Sequence, residues 1–125
     1  MDRDMDLIRD LLIKIKDNTD GESFFEAGNC MPGIDYNKVR LHLELMEESG
    51  LFAGGRNGVL KSFGYSFQIR RLSNYGYDFL EQITNDEIWE KTKTEIKEKK
   101  LPRTIEWIAK VAGIFWGSYM KNRNE

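Results

Sequence analysis

Cysteine is almost absent from this chain of 125 residues: Cys30 is the single one, so no intramolecular disulfide can form and a tetrahedral thiolate zinc site is excluded. That usage suits a reducing cytoplasm. No apolar run approaches the ~20 residues that a membrane-spanning helix needs; the longest tract, Val111 to Trp116, is interrupted by Gly113. The opening MDRDMDLIRD alternates acid and base where a signal peptide carries a basic stretch and then an apolar one, so export is not expected. Histidine is equally scarce. His42 stands alone, without a nucleophile and orienting carboxylate in a recognisable pattern and without fellow metal ligands at compatible spacing, which points to packing or hydrogen bonding. A decisive charge is missing too, since the formal net charge is −2. Residues 1–34 carry four basic and eight acidic side chains, 35–75 six and four, and 76–125 nine and nine. Only the middle third is net positive, by an excess that is small beside the several phosphate contacts on which DNA binding rests.

What is present is enough for a core. An apolar share of 40%, with seven Phe, five Tyr and three Trp, is too rich for a disordered chain even at 32% charged residues, so one folded domain is expected. Asp2 to Asp17 places Met5, Ile8, Leu12 and Ile15 at helical spacing, with Leu7 and Leu11 widening the stripe, acids in the first turn and Lys14 and Lys16 near the end. Glu22 to Ile34 contains two glycines and a proline, leaving little room for a full helix; Phe24 and Phe25 suit a short strand instead. Cys30 lies in this loop without a basic neighbour to activate it and reads as a small packing residue.

Asp35 to Leu51 is the organising stretch. Tyr36, Val39, Leu43 and Met46 share one face of a helix with Asp35 as N-cap and Gly50 as its stop. The opposite face presents Asn37, Lys38, Leu41, Glu44, Leu45 and Glu48. Lys38 and Arg40 can meet phosphates, but Glu44 and Glu48 repel them, while Leu41 and Leu45 call for a protein neighbour. Leu51 to Leu72 then reads as a long hairpin: Leu51-Phe52, a tip AGGRNGVLKSFG with Asn57-Gly58 as a turn signal, and a returning strand in which Tyr65, Phe67 and Ile69 alternate with polar residues. Arg56 and Lys61 lie near the tip and Arg70 and Arg71 at the base, where a hairpin can grip a phosphate backbone. GGRNG lacks the Gly-Lys-Ser/Thr ending of a nucleotide cradle.

Ser73 can cap a helix over Asn74–Thr84 with Tyr77, Phe79, Leu80 and Ile83 toward the core, and Asn85 can cap another over Asp86–Lys99 anchored by Ile88, Trp89 and Ile96. Pro102 breaks the run. The last helix aligns Ile105, Ile108, Ala112, Phe115 and Tyr119, while Trp107, Val111 and Ile114 widen the apolar arc beyond one docking face. That surplus must be covered by the chain itself or by a partner.

The sum is a mainly α chain with a small β-hairpin, an α+β winged helix-turn-helix-like domain over 1–84 with a C-terminal helical extension, 85–125, packed on it as one structural unit. MDRDMDLIRDLLIKI, YNKVRLHLELMEESGL and RRLSNYGYDFLEQITNDEIWEKTK resemble a family of small uncharacterised bacterial and prophage proteins catalogued as a domain of unknown function. That resemblance, over residues 1 to about 95, implies a phage or prophage origin and a winged-helix-like fold, with no activity attached. Two partner classes follow: double-stranded DNA through Lys38, Arg40, Arg56, Lys61, Arg70 and Arg71, or a host or phage protein or second copy through Leu41, Leu45, Trp107 and Ile114. No enzyme activity, cofactor or metal is expected, and the expected location is the cytoplasm.

Overall fold

The structure is a computed structural model, and it describes residues 2–54, 58–62 and 66–123. Among the described residues, five helices and a small three-stranded antiparallel sheet give an α+β fold. It divides into two compact units, Met1–Tyr77 and Asp78–Glu125.

In the first unit α1 spans Met5–Asn18, and its N-cap Asp4 accepts a hydrogen bond from the Leu7 N–H at 3.1 Å. Leu7, Ile8, Leu11, Leu12 and Ile15 are buried, the stripe expected of a helix with one apolar face. β1 is only Phe25–Glu26, yet it pairs antiparallel with β3 (Ser66–Ile69), setting Phe25 against Ile69 and Glu26 against Gln68. Phe25 therefore opens a strand, as its residue type suggests, while Phe24 stays outside it and exposed. Glu26 locks that junction: its carboxylate accepts from the Ser66 hydroxyl at 2.8 Å and from the Phe67 N–H at 2.7 Å.

The central helix, α2, spans Tyr36–Glu48, with Asp35 accepting from the Asn37 and Lys38 N–H groups. Val39, Leu43 and Met46 are buried as expected, while Tyr36 is only half-buried because its hydroxyl takes a hydrogen bond from Arg40. The chain leaves α2 through Gly50 at φ 80, a left-handed conformation that glycine adopts without steric cost. Leu51 then donates back to the Met46 carbonyl.

The hairpin differs from the sequence expectation. β2 (Val59–Ser62) lies inside the stretch read as a tip and pairs with β3 from Val59↔Ile69 to Ser62↔Ser66, so strand pairing reaches well into that stretch. Only Val59 of β2 is buried, and a strand with one buried residue leaves no alternation to read. Asn57 of the expected turn lies outside the described residues. Below β2, Phe52 bridges Leu72, so the expected pairing at the hairpin base is present.

α3 (Asn74–Thr84) is capped by Ser73, whose hydroxyl accepts from the Gly76 N–H and donates to the Gly50 carbonyl. Phe79, Leu80 and Ile83 are buried, but Tyr77 is exposed, contrary to expectation. The buried positions run Gly76, Phe79, Leu80, Ile83, and Tyr77 falls off that stripe. In the second unit α4 (Asp86–Glu98) starts on Asn85 and α5 (Ile105–Arg123) starts on Thr104, whose hydroxyl accepts from the Trp107 N–H. Ile88, Trp89, Thr92 and Ile96 of α4 and Ile105, Ile108, Val111 and Ala112 of α5 are buried. No described helix is long and apolar enough to cross a membrane.

Candidate functional site

Two surfaces carry the residues that the sequence singles out. The first is the basic set of the first unit, and there most of the described cations have partners inside the protein. Lys38 pairs with Asp4 at 3.0 Å, Arg40 with Glu44 at 3.1 Å and Lys61 with Glu47 at 2.8 Å. Arg40 also donates to the Tyr36 hydroxyl and the Ser66 carbonyl, and its guanidinium lies 5.6 Å from the Phe67 ring centre. It is thus a brace between α2 and β3. Arg71 donates to the Leu72 carbonyl, and Arg70 sits 6.0 Å from the Phe24 ring. Arg56 lies outside the described residues. Leu41 and Leu45 are half-buried.

Behind Lys38, His42 is fully buried and uses both ring nitrogens. Nδ1 lies 2.7 Å from the Lys38 carbonyl oxygen, which can only accept, so Nδ1 carries the proton; Nε2 then accepts from the Asp4 N–H at 2.8 Å. The ring staples the start of α1 to α2. Burial disfavours ionisation of the Asp4 carboxyl, but hydrogen bonds from Lys38 and the Leu7 N–H, with the Lys38 charge, outweigh it and hold the group below the ordinary carboxylate range. At Cys30, burial pushes the thiol above its usual value, the opposite of what a nucleophile needs.

The second surface is a cleft of about 420 Å³ contained within α4, α5 and their connection. Its apolar lining is Leu101, Trp107, Val111, Ile114 and Phe115, and Glu95, Lys99 and Lys110 stand at it as the charged members. Ile114 is 65% exposed, the most open of the large apolar side chains described. Trp107 and Ile114, proposed from the sequence as interface residues, therefore line one site.

The turn that closes this cleft explains its other members. Lys100 adopts φ 53, and the 96–101 bond from the Leu101 N–H to the Ile96 carbonyl, 3.0 Å, ends α4 and places Leu101 in the lining. Nothing in the sequence flags Lys100 for that conformation, so Leu101 is not predictable from pattern. Lys110 was findable: it follows Trp107 by one helical turn, and its ammonium lies 4.9 Å from the Trp107 ring centre. Glu95 and Lys99 form an i,i+4 ion pair. Among the described residues no group of three or more His, Cys, Asp or Glu is placed to hold a metal ion.

An uncharacterised protein of Haemophilus influenzae is 31% identical over 116 residues, covering 90% of this chain and 92% of the relative. No solved structure matches. The family model described as hypothetical protein DUF2513 matches residues 2–102, which takes in α1 through α4 and the turn into the cleft, and the chain belongs to that family.

Proposed function

We propose that this protein is a non-enzymatic docking module that binds another polypeptide through the α4–α5 cleft, and that it does not work by gripping DNA. The observation that carries the reading is Ile114, 65% exposed among apolar neighbours in a built cleft. The cations favour the same side. A Lys or Arg already paired with a carboxylate must break that pair to neutralise a phosphate, and Lys38, Arg40 and Lys61 are all so paired. The order helix, strand, helix, hairpin we read as winged-helix-like, a scaffold that serves protein contacts as well as nucleic acid. A phage or prophage origin, implied by the sequence resemblance, makes a host or phage protein the natural partner. The non-enzymatic part is supported by His42, tied up between backbone groups, and by Cys30, whose thiol burial keeps protonated.

A paired titration tests this. Full-length protein at ~10 µM should leave a random labelled duplex unshifted at ~50 mM salt, where phosphate contacts are strongest. The same protein should bind an anilinonaphthalene dye, standing in for apolar side chains, and Ile114→Asp should abolish that signal while leaving the melting temperature unchanged. Duplex binding lost on Lys38→Ala overturns the reading.

A further inference from the structure

We propose that the α4–α5 cleft selects an acidic amphipathic helix of another polypeptide, with Lys110 as the residue that reads its carboxylate. This rests on the docking reading above and adds the chemistry of the partner. Size comes first. An apolar cavity of about 150 Å³ holds one benzene, so the 420 Å³ here accommodates about three ring-sized groups. Trp107 and Ile114 are two turns apart on α5, about 10.5 Å along the axis at 1.5 Å per residue. That is the span of side chains at i, i+3 or i+4, and i+7 on a helix laid into a groove.

Charge then narrows the partner. Of the three charged residues at the cleft, Glu95 and Lys99 neutralise one another. Lys110 is left with the Trp107 ring, and among the described residues no carboxylate pairs with it. The cleft therefore offers an apolar floor beside one uncompensated ammonium. A basic helix meets repulsion there. A second copy meets it too, because an antiparallel α5 pair centred on the cleft would set the two Lys110 ammoniums across the dyad at an interaxial distance of roughly 8–10 Å. A small amphiphile, the dye probe included, gains only weak, micromolar-range binding there, since tight ligand sites cover about 70–90% of their ligand and Ile114 stands 65% open. An apolar helix with a carboxylate beside its anchors satisfies both the floor and Lys110.

The test uses the full chain and two fluorescein-labelled alanine-based helical peptides of roughly 18 residues, long enough to hold helix in water. Both carry leucine at i, i+4 and i+7; one has glutamates beside the leucines and the other lysines. Anisotropy titrations at ~50 mM salt should show the acidic peptide binding about fivefold or more tightly than the basic one, a gap that shrinks at ~500 mM salt. Lys110→Glu should reverse the order, with an unchanged thermal melt as the control for folding, and Ile114→Asp should weaken both peptides. Equal affinity for the two peptides overturns the charge selection while leaving the docking reading in place. Failure of both peptides to bind overturns both. A dimer seen by light scattering and lost in Ile114→Asp overturns the inference in favour of a second copy.

Discussion

Replacing His42 by leucine keeps most of the buried bulk and removes both ring nitrogens, which isolates the contribution of the staple between α1 and α2. The Asp4 N–H, now 2.8 Å from Nε2, would face a methyl group. Leaving a buried donor without an acceptor costs about 1–3 kcal/mol, and losing the bond to the Lys38 carbonyl about 0.5–1.5 more. Asp4 is only half-buried, so water relieves part of the first cost and the net loss should be about 2 kcal/mol. At about 4 °C per kcal/mol for a chain of this size, the melting temperature should fall by about 8 °C. Thermal unfolding followed by far-ultraviolet circular dichroism reads this directly, and salt separates it from the neighbouring ion pair. Both bonds of the neutral ring are insensitive to ionic strength, so the loss should be equal at ~50 and ~500 mM salt. Lys38→Met, which breaks a pair whose side chains are 36% and 37% exposed, should cost no more than about 1 kcal/mol and should shrink with salt. An unchanged or raised melting temperature in His42→Leu, or a deficit that disappears at high salt, refutes the staple.

Three further outcomes follow from local geometry. The Asp4 carboxyl titrates below its ordinary value of 3.8 in the folded protein, so the stability it adds is complete above that value and is lost as pH falls through the depressed one; the stability gap between wild type and Asp4→Asn in urea titrations should be flat above about pH 5 and close below pH 3.8. Lys100→Gly should raise the melting point by the equivalent of about 0.5–1 kcal/mol, because a side chain at φ 53 is strained where glycine is not; a lower melting point would show that the lysine side chain compensates. Gly76→Ala should cost about 1–3 kcal/mol, since the added methyl would run into the Leu51 carbonyl, and an unperturbed melt would mean that this backbone gives way freely.

The helices were legible because their signals are local. Asp35 and Gly50 bracket α2, Asn85 opens α4, and apolar residues recur at helical spacing between such marks. The short β1 was legible in part, from Phe25, while its second residue is Glu26 and Phe24 falls outside it. β2 was not, because VLKS buries one residue and its pairing depends on β3. The same division runs through the candidate sites. Trp107 and Ile114 stand out as surplus apolar surface on α5, a property of one helix. The fate of the cations is invisible in sequence, because Lys38 meets Asp4 and Lys61 meets Glu47 only once the chain has folded. A count of basic residues overstates the charge free to meet a polyanion.

Ser73 ties the end of α2 to the start of α3: its N–H donates to the Leu51 carbonyl, its hydroxyl donates to the Gly50 carbonyl, and the Gly76 N–H donates to that hydroxyl. The segment between Leu51 and Leu72, which carries β2 and β3, therefore leaves and rejoins the frame at two fastened ends, with Phe52 against Leu72 as the last rung, and the link from β2 to β3 closes between paired strands. In polymer terms the cost of closing such a loop grows only with the logarithm of its length, about 0.6 kcal/mol for each doubling. Residues can be gained or lost between β2 and β3 while β3 itself stays held by β1, Glu26 and Arg40, so length variation within the family should collect between those two strands and spare β3 and the α2–Ser73–α3 junction.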